Sequence, residues 1–381
     1  MGKIVETIEL LSPSPGTSRT IAVHHYGTPG KGPKAYFQGA IHADEYPGLL
    51  VANHLVALLD QAEQDGLITG EVVVVPVANP IGLDQCLNGS HRGRYELCSG
   101  GNFNRDWPDL SDAVAGKVRG HLGKDEASNV KAIRKALTQA VAELPENNEF
   151  DSLRKALLGQ SVTADFVFDL HCDLEALMHL YASRRHRDLA VELGRDIDAR
   201  VVLLENEPGG APFDEANAGV WWRLRDKIGA KCPFPDACFA TTVELRGVLD
   251  VEDSLAALDA RGMYRFLQRH GLIKGPGEPV PDTPLQPTPL EGTDVLSSPG
   301  AGIVVYHKQI GDQVRAGDVV AELIDLMEPD PKKARTPIVS KATGLFFARM
   351  TERLMRPGAE IGKIAGPEPL AHRKAGQLLS R

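Results

Sequence analysis

Ala35-Tyr-Phe-Gln-Gly-Ala-Ile41 and Glu71-Val-Val-Val-Val-Pro-Val-Ala78 are two apolar runs, and residues 49–59 between them place apolar side chains at helical spacing. The valine run lacks the polar alternation of a half-exposed strand, as expected where a parallel sheet is covered on both faces. Strand, helix and strand in that order predict an α/β sheet with helices on both faces. The same alternation continues outward. Residues 4–10 and 20–25 read as short strands separated by Ser12-Pro-Ser-Pro-Gly16, 166–170, 201–204 and 241–245 as strands, and 131–143 and 254–270 as helices.

The character changes at residue 275. Prolines 276, 279, 281, 284, 287 and 289 crowd a stretch with little apolar periodicity, which predicts a stiff, extended linker over 275–289. The linker separates an α/β domain at 1–274 from a β-domain with a short tail at 290–381. The latter repeats weakly: Gly302-Ile-Val-Val-Tyr306 with Arg315-Ala-Gly317 resembles Gly344-Leu-Phe-Phe-Ala348 with Arg356-Pro-Gly358. Each half reads as a β-pair closed by a glycine turn, in the manner of a biotinyl/lipoyl-type barrel sandwich. The hairpin between the halves, Leu326-Met-Glu-Pro329, has no lysine flanked by methionines, so a structural or lid role is expected rather than a covalent carrier.

With 381 residues, 42% hydrophobic and 24% charged, the chain can bury a substantial core. Its net charge of −9 and pI near 5.8 argue against nucleic acid or an anionic membrane as partner. No apolar run is of bilayer-spanning length, and no apolar signal core follows Met1, so a cytoplasmic location is expected. Five scattered cysteines make neither a disulfide framework nor a CxxC pair. A homo-oligomer is left open.

Four segments carry polar residues at the ends of expected strands, where α/β proteins build their sites. In Gly39-Ala-Ile-His42-Ala-Asp-Glu45 an imidazole and a carboxylate three apart on a turn can converge on one cation, two of the three ligands of a His₂Glu zinc site. Val167-Phe-Asp169-Leu-His171 ends a buried strand with a third candidate ligand, and Asp169 shares its face and can orient it. In Thr241-Thr-Val-Glu244-Leu-Arg246 a glutamate sits within an apolar strand, where burial raises a carboxyl pKa as a general base requires. Asn79-Pro80, His91-Arg-Gly-Arg94-Tyr95 and Asn102-Phe-Asn104-Arg105 follow the valine run, and arginines there can grip a carboxylate or an oxyanion. Taken singly, each segment also has a plain reading: a capped helix start, a hydrogen-bonded core histidine, a Glu244–Arg246 ion pair, solvated loop charges.

Together and in this order, the segments resemble the succinylglutamate desuccinylase/aspartoacylase family of zinc carboxypeptidase-like amidohydrolases. The resemblance implies a mixed, mostly parallel sheet flanked by helices with a small C-terminal all-β barrel-sandwich domain. It implies one zinc ion on His42, Glu45 and His171, Glu244 as general base, and Arg94 polarising the scissile carbonyl. Asn104 and Arg105 would hold the substrate carboxylate. Arg246, standing where glycine is commoner in the family, is a candidate second anion contact. The expected activity is hydrolysis of the amide bond of a small N-acyl amino acid. The alternatives are a carboxypeptidase acting on a peptide or peptidoglycan stem, and a non-catalytic zinc or ligand-binding homologue.

Overall fold

The structure is a computed structural model describing residues 2–206, 209–229, 231–282, 285, 287–374 and 376. In chain order its principal elements are β1 (Ile4–Glu9), β2 (Thr20–Gly27), β3 (Lys34–Gly39), α1 (Pro47–Gln64), β4 (Glu71–Val75), α2 (Ser111–Val118), α3 (Glu126–Ala142), α4 (Glu149–Ser161), β5 (Phe166–Asp173), β6 (His179–Ser183) and α5 (Arg187–Asp196). They continue with β7 (Val201–Glu205), α6 (Phe213–Ile228), β8 (Phe239–Gly247), α7 (Asp253–Arg269), β9 (Pro287–Pro289), β10 (Thr293–Ser297), β11 (Gly302–Tyr306), β12 (Val319–Ile324), β13 (Arg335–Val339), β14 (Gly344–Arg349) and β15 (Glu360–Ala365).

Two compact units result, and neither is one run of sequence. The first holds Met1–His171, Gly210–Val243 and Val251–Val280; the second holds Cys172–Gly209, Glu244–Asp250 and Pro281–Arg381. A split at 274 and 290 follows the chain, whereas these units interleave along it.

In the first unit the strand order is β1-β2-β4-β3-β5-β8, with β1, β2 and β4 antiparallel and β3 parallel to both β4 and β5. The period of two along each strand sorts the side chains. Tyr36, Val73, Val75 and Val167 face a core shared with Val114, Ile133, Leu153 and Trp221 of α2, α3, α4 and α6. Phe37 and Phe168 turn the other way and stack on each other with centroids 4.3 Å apart, and Phe168 meets Phe266 of α7. The sheet is therefore covered on both faces, as the valine run implied. Because β3, β4 and β5 run parallel, their C-terminal ends share one edge. α1 starts against that edge so closely that a Cβ on Gly48 would come within 2.8 Å of the Leu170 carbonyl, and only glycine fits.

In the second unit β6, β7 and β9 form a parallel run. This corrects the expected linker, whose last residues are a strand. The strand pairs with β7, and Thr288 between its two prolines retains the N–H that a ladder needs. Pro284 lies outside the described residues. The C-terminal strands build two small sheets, β10-β15-β14 and β13-β12-β11, around Leu296, Val304, Val320, Phe346 and Ile364. The repeated turn glycines, Gly317 and Gly358, both take positive φ, at 94° and 76°. Residues 175–176 add to the edge of β14, and Asp173 meets the buried ammonium of Lys363 at 2.5 Å.

His179 in β6 is fully buried, with Nδ1 against the Leu177 carbonyl at 2.8 Å. Burial pushes its pKa down to about 4, with the Asp173 charge resisting. The folded value lies below the ordinary 6.5, so this group's contribution to stability is whole above pH 6.5 and is lost as the pH falls toward 4. The loss amounts to about 2 kcal/mol between pH 6.5 and 4.5. Urea melts at those two pH values are expected to show a correspondingly smaller loss in His179→Gln than in the unmodified protein. Parallel losses in both would show that the imidazole is not buried neutral.

Candidate active site

The site grows from the shared edge of β3, β4 and β5. The chain leaving β3 turns sharply, with Glu45 N–H donating to the His42 carbonyl at 3.1 Å. Asn79 braces that turn. Its Oδ1 accepts from Gly82 N–H and so caps the short helix Pro80–Leu83, while its Nδ2 donates to the Ile41 carbonyl at 2.7 Å. Asn79 thus supports the turn that carries His42. The loop bearing the arginines is pressed on the same turn. Ala43 N–H donates to Gly93 O, and a Cβ on Gly93 would lie 2.2 Å from Asp44 N. Glycine at 93 is what lets the next residue, Arg94, reach Glu45.

His42, Glu45 and His171 are buried, and their ligand atoms lie within 4.8 Å of one another. His42 Nδ1 is 2.9 Å from Glu45 Oε1, and His171 Nδ1 is 2.7 Å from Glu45 Oε2. The two rings stand edge to face with centroids 5.0 Å apart. Each Nε2 has an oxygen behind it: Asn102 Oδ1 for His42 at 2.8 Å and Asp169 Oδ2 for His171 at 2.8 Å. Asp169 is held in turn by Gln38 at 2.9 Å and Asn104 at 3.1 Å, and Tyr36 donates to Gln38. Asp169 therefore orients His171, as its shared face predicted.

Burial alone would raise the Glu45 carboxyl, but the two imidazoles outweigh it and hold the group well below the usual range. His171 is buried as well, yet Asp169 and Glu45 hold it well above its ordinary value. His42 moves the opposite way, lowered by burial and by the Arg94 cation.

Arg94 Nη1 donates to Glu45 Oε1 at 3.1 Å and the side chain is 29% exposed, so it has one end in the cluster and another outside. Asn104 departs from its expected task. It is buried, its Nδ2 faces Asp169 and His171, and its Oδ1 accepts from Phe213 N–H, so the amide is committed to holding the site together. Arg105 is half-buried and donates Nη1 to the Asn104 carbonyl. Burial and the neighbouring Arg94 lower its pKa, as for a cation short of counter-charge.

Glu244 and Arg246 fall in the second unit, at the end of β8. Glu244 is half-buried between the buried Val243 and Leu245, and Arg246 takes a left-handed φ of 64°. Tyr181, also in that unit, feels the charges of Lys363 and Glu244. Tyr306 donates its hydroxyl to the Ile361 carbonyl at 2.8 Å. Asn102, Gln38 and Asp214 were not assigned roles from sequence. Amides in a loop or strand and an acid in the first turn of a helix carry no signal of where they will be buried.

The donor set suits a cation. Each histidine has an oxygen acceptor at Nε2 that can take the ring proton, so that Nδ1, on the carboxylate side, is the nitrogen that would face a cation. Two imidazoles and a carboxylate are the protein ligands of a hydrolytic metal site with an open position. Fold and site together define an α/β protein with a buried His–Glu–His cluster and Arg94 against its glutamate.

Residues 31–269 match the succinylglutamate desuccinylase/aspartoacylase catalytic domain, and the chain belongs to that family. It is accordingly a hydrolase acting on amide bonds. It is 25% identical over 350 residues to the N-alpha-acetyl-L-2,4-diaminobutyric acid deacetylase of Halomonas elongata, covering 88% of this chain and 83% of that one. A succinylglutamate desuccinylase/aspartoacylase family protein of Shewanella amazonensis superposes with a TM-score of 0.80 at 25% identity, over 96% of this chain and 98% of that one. The product-bound ectoine utilization protein of Ruegeria pomeroyi shares the fold, with a TM-score of 0.66 at 18% identity over 96% and 95% of the two chains.

Proposed function

We propose that the chain is a zinc-dependent deacylase that hydrolyses the amide bond of an N-acyl amino acid. The observation that carries this reading is the convergence of both His Nδ1 atoms on the two oxygens of Glu45, each ring backed at Nε2. His42, Glu45 and His171 would hold one zinc ion. When bound, zinc supplies Lewis acidity, which acidifies water and polarises a carbonyl.

The rest of the chemistry falls to this chain's side chains. Glu244 accepts the proton of the attacking water and delivers it to the leaving amine. Arg94 offers its guanidinium to the oxygen that becomes negative, where one such donor is typically worth about 3 kcal/mol of barrier. Arg105 takes the substrate carboxylate and fixes the amide in place, with Arg246 as a second anion contact. Asn104 and Asp169 position His171. The relative in Halomonas elongata, a deacetylase of an acetylated amino acid by its name, supports the same substrate class.

The test is release of free amine from N-acetyl, N-formyl and N-succinyl amino acids by zinc-loaded protein, beside a chelator-treated control. Turnover abolished by the chelator and restored by zinc is expected. Silence on every amide, with zinc bound, would overturn the reading in favour of a peptide substrate or a binding role.

A further inference from the structure

Arg154 on α4 is a half-buried cation that pairs with no carboxylate among the described residues. Its acceptors are three main-chain carbonyls of a single loop. Nη1 donates to the Asp106 carbonyl at 2.9 Å, and Nη2 donates to the carbonyls of Asn102, at 3.2 Å, and of Arg105. The guanidinium carbon lies 4.1 Å from the ring centroid of Phe150 and 5.1 Å from that of Trp107. Nε is enclosed and has no acceptor. Burial pushes the pKa down to about 10, against the charges of Asp106 and Asp151, so the group is still a cation at neutral pH. Burying a cation without a counter-ion is costly, and here only the carbonyls and the ring faces offset it.

The side chains of the same loop reach the metal-ligand cluster. Asn102 Oδ1 backs His42 and also accepts from Asn104 N–H at 2.9 Å. Asn104 Nδ2 lies 2.9 Å from His171 Nε2, and Arg105 is the next residue. Beyond it the chain passes through Asp106 with a left-handed φ of 55°, which a residue other than glycine keeps only where its surroundings fix it. Both peptide groups flanking the Asp106 Cα are fixed at both ends. Arg154 takes their two carbonyls, and the carbonyls of Gly210 and Ala211 accept their N–H groups, each at 2.9 Å. A planar fork can serve several carbonyls while lying over a ring; an ammonium cannot do both.

We propose that Arg154 is a positioning residue of the site. By gathering the carbonyls of residues 102, 105 and 106 it sets this loop so that Asn102 and Asn104 steady the two imidazoles and Arg105 is presented to the substrate carboxylate. This rests on the zinc deacylase reading above.

The test compares Arg154→Ala with the unmodified protein by zinc affinity, read in competition with a chelating dye, and by steady-state kinetics on N-acetyl amino acids. Zinc binding is expected to weaken about tenfold, the lower end of what losing support behind a metal ligand costs. At saturating zinc, KM is expected to rise about tenfold with kcat nearly unchanged, because a carboxylate contact is made in ground and transition state alike. Millimolar guanidinium should restore both quantities, whereas methylammonium should not. A loss that came only from loosened packing of α4 would not respond to either ion. Arg154→Lys keeps the charge and serves where the alanine variant does not fold, with the same changes expected in smaller measure. Zinc affinity and KM equal to those of the unmodified protein, or a loss that guanidinium leaves in place, would overturn the assignment while leaving the deacylase reading intact. Absence of turnover by the unmodified protein would refute that reading. Zinc affinity would then decide Arg154 alone, equal affinity in the variant refuting it and a guanidinium-reversible loss supporting it.

Discussion

Glu244→Gln is expected to keep its metal and lose about 10²–10⁴-fold in kcat, the range that a positioned general base contributes. Glutamine has the shape of glutamate and can still pack between the neighbours of Val243 and Leu245 on β8, both fully buried. What it lacks is a group able to take the proton of the attacking water. The amide also cannot return a proton to the leaving amine, so both halves of the reaction suffer from one substitution. Metal content measured on the same preparation separates this from loss of the ion. Activity within tenfold of the unmodified protein would remove Glu244 as the base.

His171→Ala is expected to weaken metal binding by more than about 100-fold, since loss of a group that merely supports a ligand already costs 10–100-fold. The effect on the fold is also large. The imidazole lies between Asp169 and Glu45, at 2.8 and 2.7 Å, and both carboxylates are buried. Removing it leaves two buried negative groups facing each other, a loss of the kind that costs about 3–5 kcal/mol. A parallel His171→Gln variant retains an amide donor between the carboxylates and is expected to recover part of the stability but not the metal affinity. Full zinc occupancy in the alanine variant would disprove the ligand role, whatever its stability.

Which parts of this could be read in advance follows from the range of the forces involved. The valine run of β4 announced a strand covered on both faces because each of its residues is apolar, a local property. His42 and Glu45 could be paired on paper because a short turn joins them. Asp169 and His171 could be assigned to one face because strand alternation is fixed by covalent geometry. The strand β5 runs on to Asp173, so that His171, expected at its end, lies inside it. Helix α6 was not anticipated. Asp214 and Glu215 at its start look like ordinary acids favoured by the positive end of a helix dipole. The linker prolines failed for a related reason: whether Pro287–Pro289 is free or is an edge strand depends on a partner, β7, that is remote in sequence.

By itself, then, the sequence determined the α/β class, the residues of the His–Glu–His cluster and the presence of arginines near it, all carried by local periodicity and by motifs within single loops. Tertiary structure decided how those residues are used. It committed Asn104, expected at the substrate carboxylate, to the support of the site, braced the His42 turn with Asn79, and set Asn102 and Asp169 behind the two imidazoles. Hydrogen bonding and desolvation act between side chains that the folded chain brings within about 3 Å of one another. Residues 104 and 213 are remote in sequence, and only the fold makes them neighbours.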